Sequence, residues 1–254
     1  MRALRDSGHT KFVSFSGIDG AGKSTQIEAL CARMKEDGLR VMLIRFWDDI
    51  AKLTRIRETT GHVVFRGDKG VGTISAPINR RDKNIQSWLM TAVRLFLYFI
   101  DAISIRFAVE KALRSEADLV VFDRYTFDEL ANLSLRNTVI RRYVRLIMMI
   151  VPMPHISYVL DADPVKARAR KPEYPLEFLY TNRKAYLDLS ELIGGMTVIA
   201  PMSVQEVERA VLGHALARLS FRSDQRMSDV GIALNVTKGE ATSLDGSQTG
   251  RVVL

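Results

Sequence analysis

Two rhythms of hydrophobic and polar positions alternate along the chain. Short apolar runs at Lys11–Ser16, Arg40–Arg45, Leu119–Phe122, His155–Leu160 and Met196–Ala200 have the length and continuity of strands buried on both faces. Between them apolar residues recur at spacings of three and four, which predicts helices over Lys23–Asp37, Ile85–Arg114 and Phe127–Val151. The second of these is long, and Trp88, Leu89, Ala92, Leu95, Phe96, Phe99, Ile103 and Phe107 are expected to pack it on the sheet. Gly38 supplies a stop for the first helix, and Pro152 with Pro154 breaks the third. Asp161-Ala-Asp-Pro164 opens a short helix, with the proline suited to its first turn. A polar, basic loop over Arg168–Pro175 leads into a further helix ending near Ile193. Ser203 with Glu206 three residues on forms a capping box for the last helix. Strands alternating with helices predict a parallel sheet whose ligands sit at the carboxyl ends of the strands.

Composition sharpens the domain picture. At 254 residues and 47% hydrophobic the chain can bury a full α/β core, with an appendage. Residues 1–10 read as a flexible start and 11–219 as the domain. Residues 220–254, rich in Ser, Thr, Gly and Asp, read as a flexible tail, with a small hairpin between Val230–Val236 and Arg251–Leu254 as the less favoured alternative. Residues 52–84 hold Gly61, Gly67, Gly70, Gly72 and Pro77 with little periodicity and read as a long loop with a short helix at its start. The single cysteine, Cys31, excludes an internal disulfide and a cysteine metal cluster. With no apolar leader, a cytoplasmic protein is expected. The most hydrophobic stretch, Ala92–Ile105, carries Arg94 and Asp101 and is too short and polar for a bilayer, so no membrane partner is expected.

The net charge of +8 changes the picture only locally. Eight of the basic residues (Lys52, Arg55, Arg57, Arg66, Lys69, Arg80, Arg81 and Lys83) fall in the 52–84 loop against three acids. An anionic small substrate, nucleic acid or plain solubility each accounts for such a patch. Nucleic acid ranks last, because only Phe65 interleaves an aromatic ring with the charges.

The chemistry starts where the first apolar run ends. Gly17, Gly22, Lys23 and Ser24 have the spacing of a phosphate-binding loop between strand and helix. Glycines let backbone amides approach a polyphosphate, and the helix aims its unpaired N–H groups and positive dipole end at the same anion. Lys23 can reach the β- and γ-phosphates and Ser24 can place a hydroxyl on Mg²⁺. Asp123 closes the third strand, where a carboxylate can serve the same metal or merely cap a turn. Arg124 beside it offers a planar fork for phosphate, or an ion pair with Asp128.

With Gly17-Ile-Asp-Gly-Ala-Gly-Lys-Ser-Thr-Gln26, Asp123-Arg124-Tyr125, Tyr158-Val-Leu-Asp-Ala-Asp-Pro164 and the Ser203-Val-Gln-Glu-Val207 helix, the chain resembles the thymidylate kinase family over residues 11–218. The resemblance implies a P-loop NTPase three-layer α/β sandwich with a five-stranded parallel sheet flanked by helices, using ATP and Mg²⁺ to phosphorylate a nucleoside monophosphate. It implies that Gly17, Asp19, Gly20, Ala21, Gly22, Lys23, Ser24 and Thr25 cradle the donor and that Ser24 and Asp123 serve the metal. Asp19, Arg45, Arg124 and Tyr125 would meet the acceptor. Residues 166–175 look like the lid, in which Arg168, Arg170 and Lys171 bring catalytic charge, an arrangement that goes with glycine at position 20. Pairing of two chains through the long apolar helices is in keeping with the family. The chain also departs from the pattern. Ser16 stands where the family has Glu, Ile44-Arg-Phe-Trp-Asp48 replaces a Thr-Arg-Glu-Pro turn, and Ala102 falls where an arginine helps read the thymine ring, with Arg94 or Arg106 as a substitute from another turn. A kinase of another small acceptor and a nucleotide-binding regulatory module without kinase activity therefore stay open.

Overall fold

The computed structural model describes residues 10–50 and 88–219. The basic segment 52–84, the start at 1–9 and the tail 220–254 with its alternative hairpin lie outside the described residues.

Five strands, β1 (Lys11–Ser16), β2 (Val41–Arg45), β3 (Leu119–Asp123), β4 (Ile156–Leu160) and β5 (Thr197–Ile199), form one sheet in the order β2-β3-β1-β4-β5. Every pairing is parallel. β3 and β4 are buried along their apolar lengths, as their unbroken hydrophobic runs require. The chain passes from β1 to the edge strand β2, returns to insert β3 beside β1, and then crosses to β4 on the other side. The direction of winding thus reverses at β1. That reversal opens a crevice at the carboxyl ends of the central strands.

Helices flank this sheet: α1 (Lys23–Glu36), α2 (Trp88–Leu113), α3 (Thr126–Leu130), α4 (Thr138–Ile150), α5 (Pro164–Arg170), α6 (Leu176–Ile193) and α7 (Val204–Arg218). Their ends follow local chemistry. Asp163 caps α5 through the Lys166 amide with Pro164 in the first turn, and Ser203 and Glu206 close the expected capping box on α7.

Three expectations change and one element is added. The predicted Phe127–Val151 helix is two, because Asn137 accepts the Val139 amide and starts α4 afresh after a turn. Arg168 and Arg170 lie on α5 rather than in a loop. A π-helical turn at Phe46–Ile50 follows β2, with the Arg45 amide donating to the Asp49 carboxylate at 2.7 Å. On α2 the packed face is not the expected one: Tyr98, Asp101, Ala102, Ile105, Val109 and Ala112 are buried, while Phe96 and Phe107 are 63% and 64% exposed. α2 is apolar on two faces, so spacing alone could not tell which one meets the sheet.

Candidate nucleotide site

The phosphate loop is shaped by backbone contacts that exclude side chains. Gly17 has φ +139, and a Cβ there would lie 2.5 Å from the Leu160 carbonyl oxygen at the end of β4. Gly20 has φ +82, and a Cβ there would lie 2.2 Å from the carbonyl oxygen of Ala167 on α5. The glycine at position 20 therefore lets α5 close against the loop.

Behind the loop Lys23 is buried, and its ammonium donates to the carbonyl oxygens of Gly17 at 2.8 Å and Ile18 at 2.9 Å. Burial, reinforced by the Arg124 charge, lowers its pKa to about 8, against the opposing pull of Asp19, Asp128 and Asp123. Lys23 is a charge held under tension. An incoming polyphosphate would relieve that tension by supplying the missing negative charge.

Arg124 follows β3 with φ 70, a left-handed conformation costing a non-glycine residue about 1 to 3 kcal/mol. Its guanidinium pairs with Asp19 of the loop and, at 3.2 Å, with Asp128 of α3. Burial opposes its charge, and the Asp128 and Asp19 carboxylates outweigh burial and hold its pKa above the ordinary arginine range. Asp19 is desolvated too, yet Arg124, Lys23 and Lys171 together pull its pKa below the usual carboxylate value.

These groups open on a cavity of about 1160 Å³. Asp19, Gly20, Ala21, Gly22, Lys23, Ser24 and Thr25 line one wall, Asp123 and Arg124 another, and Lys166, Arg170 and Lys171 a third. Pro201, Met202 and Val207 form an apolar end beside α7. Ser24 and Thr25 are exposed to it. A phosphate-bearing ligand would meet donors and cations from three sides.

Other expected residues are placed elsewhere. Gly17 lies behind the loop, under Leu160 and Tyr186. Arg168 is half-buried and is not among the residues lining the cavity. Arg45 ends β2 opposite Asp123 in the register but is exposed outside the cavity. Tyr125 is a core residue whose hydroxyl donates to the Pro152 carbonyl, and burial raises its pKa. Ala102 is fully buried, and Arg106 on the same helix is committed to Glu110 and the Ile150 carbonyl. Three residues with no site role assigned from sequence belong to the neighbourhood. Lys166 lines the cavity one helical turn before Arg170, a spacing that could have revealed it. Asp128 and Ser16 meet only through the fold, Ser16 Oγ donating to Asp128 Oδ2 at 2.7 Å.

Ser24 and Asp123 supply hard oxygen donors on one cavity, which suits Mg²⁺ arriving with a polyphosphate and its own waters. Among the described residues no group of three or more His, Cys, Asp or Glu could hold a metal unaided.

The depressed Lys23 pKa makes a sign-specific prediction. An unfolded lysine keeps its proton to about pH 10.5 and this one only to about 8, so the free protein gains stability as pH rises through that window. Bound polyphosphate restores the proton. ATP affinity should then fall by up to about tenfold per pH unit above 8, with proton uptake on binding. Calorimetry at pH 9 in buffers of different ionisation heat reads that uptake; none would refute the assignment of Lys23 to the anion.

A glycine loop from β1, a lysine at the start of the next helix and an acid at the tip of the adjacent parallel strand define a P-loop nucleotide-binding protein. Comparisons agree and narrow the class. The family model for the methylmalonyl Co-A mutase-associated GTPase MeaB matches residues 1–48, the part that carries the loop. A thymidylate kinase of a Bradyrhizobium species is 54% identical over 41 residues, 16% of this chain and only 18% of that protein's length. The thymidylate kinase of Bifidobacterium longum is 30% identical over 189 residues, 70% of this chain and 83% of that one. The crystal structure of thymidylate kinase from Ehrlichia chaffeensis shares the fold, with a TM-score of 0.50 and 19% identity over 81% of this chain and 98% of that one. The chain belongs to the thymidylate kinase family.

Proposed function

We propose that the chain is an ATP- and Mg²⁺-dependent nucleoside monophosphate kinase, transferring the γ-phosphoryl group to the 5′-phosphate of dTMP. The observation that carries this reading is the single cavity onto which Lys23, Ser24, Asp123, Arg124 and Arg170 all open. In it the loop amides and Lys23 hold the donor phosphates, while Arg124 and Asp19 face the acceptor. Mg²⁺ held by Ser24 and Asp123 would neutralise developing charge on the phosphates. Phosphoryl transfer asks mainly for alignment and charge neutralisation, which cations on three walls can provide. α5 is the lid that completes the site and keeps water out. In this reading residues 11–219 are the kinase domain.

One observation favours a second acceptor. Ala102 is buried where the resemblance puts a thymine-reading arginine, and Arg106 is engaged elsewhere. Unless Arg94 reads the base, another nucleoside monophosphate would then be preferred. ADP formation measured with each nucleoside and deoxynucleoside monophosphate in turn decides: a rate with none of them above the rate with ATP alone would refute the kinase reading.

The same reading includes a cytoplasmic homodimer. Phe96, Phe99 and Phe107 on α2 and Val139, Leu146 and Met149 on α4 leave apolar surface exposed that a second copy would cover. Sedimentation should give twice the chain mass, and a monomer at micromolar concentration would reject the pairing. Among the described residues no helix is long and apolar enough to cross a membrane.

A further inference from the structure

Asp128 makes more contacts than an ion-pair partner needs. It is 3% exposed, and four donors converge on its two oxygens. Oδ2 accepts from Ser16 Oγ at 2.7 Å and from the Tyr125 amide at 3.1 Å. Oδ1 accepts from Tyr186 Oη at 2.7 Å and from the Arg124 guanidinium at 3.2 Å. A carboxylate has about four lone-pair directions, so every acceptor position is used. The donors come from β1, from the turn that carries Arg124, and from α6, which leads away from α5. Asp128 ties the strand beneath the phosphate loop to the helix behind the lid.

The residue held in the middle is Arg124. Its left-handed backbone has to be stabilised by its surroundings, and of the two carboxylates that hold its side chain Asp128 alone is locked by further hydrogen bonds among the described residues. Asp19 lines the cavity and so faces ligand, whereas Asp128 does not line it. A carboxylate that never meets the substrate but fixes a guanidinium that does is a support of the kind that preorganised sites need. Tyr186 is protected in its donor role, since burial and the neighbouring Asp128 charge push its hydroxyl pKa well up.

We propose that Asp128 is a positioning residue for phosphoryl transfer, orienting Arg124 toward the acceptor phosphate through a carboxylate anchored by Ser16, Tyr125 and Tyr186. The proposal rests on the kinase reading above. It implies that the negative charge is needed at this place and not on this residue. The Ser16 hydroxyl lies 2.7 Å from the Asp128 carboxylate, so a longer acid at position 16 can occupy the place that Asp128 vacates.

The experiment is a charge relocation in the full chain: Asp128→Ser, Ser16→Glu and the two together, with Asp128→Asn as the isosteric control and melting curves for all. Asp128→Asn and Asp128→Ser should each raise the KM for the monophosphate about tenfold or more while the KM for ATP stays within about twofold. The double variant should recover to within about threefold of wild type. A double variant no better than Asp128→Ser, or single variants that move both KM values equally, would overturn the proposal. The Arg124 Nη1–H resonance in nitrogen-15 spectra reports the bond to Asp128 directly and needs no substrate. It should be protected from exchange in wild type, lost in Asp128→Ser and regained in the double variant. If wild type phosphorylates no monophosphate, the kinase reading falls, while this resonance still decides whether Asp128 positions Arg124; an unchanged signal in Asp128→Ser would refute that too.

Discussion

Replacing Lys23 with Met should weaken ATP binding at least a hundredfold, a loss of about 3 kcal/mol, without lowering the melting temperature of the nucleotide-free protein. The two halves of this expectation have the same cause. Lys23 sits in a nearly dry position where burial and Arg124 push its pKa down to about 8, so the empty fold holds its charge at a cost. The methionine side chain has similar length and no charge, which removes that cost. Against this stand the bonds to the Gly17 and Ile18 carbonyls, each worth about 1 to 3 kcal/mol to a charged donor. These contributions are comparable, so stability should hold or rise while binding collapses. Calorimetric titration with ATP, paired with melting curves, checks both. A variant that binds ATP normally would remove Lys23 from the site. One that binds poorly because it has already unfolded would show the lysine to be structural.

Different parts of this arrangement were legible to different degrees, and the reasons are physical. The sheet was readable because β3 and β4 are buried on both faces and so write themselves as unbroken apolar runs. Caps that act over three residues, such as Ser203 with Glu206, were readable for the same local reason. The break before α4 was hidden by apolar continuity through Leu130, Leu133 and Leu135, although Asn137 was the signal. The π-turn after β2 left no pattern, since it follows from Asp49 reaching back to a backbone amide. The exposed face of α2 was misread because a helix with two apolar faces gives periodicity no preferred side. In the candidate site the loop glycines, Lys23 and Asp123 announced themselves through spacing and strand ends. Of Asp128 only the ion pair with Arg124, four residues away, was legible; its contacts to Ser16 and Tyr186 exist only once β1, α3 and α6 are assembled.

The cations of α5 separate under the same reasoning, and this carries the second large prediction. Sequence places Arg168 and Arg170 together as lid charges, but each helical residue turns about 100° from the last, so these two point about 200° apart. One helix cannot aim both at one phosphate. Asp163, Lys166, Ala169 and Arg170 share the face that lines the cavity, and the Arg170 guanidinium lies 3.8 Å from where a Cβ on Gly22 would be. Arg168 is on the other side. Arg170→Ala should therefore lower kcat by about 10³ to 10⁵, or about 4 to 7 kcal/mol of barrier, if it acts as the charge that meets the transferring phosphoryl group. Arg168→Ala should cost less than about tenfold. Neither should change ATP affinity greatly, because in the proposed reading Lys23 and the loop amides would hold the ground-state phosphates. Steady-state rates for the two variants under saturating substrates distinguish them. Equal losses would mean that α5 turns or unwinds when nucleotide binds, and a large loss at Arg168 alone would put the catalytic charge on the face that now points away.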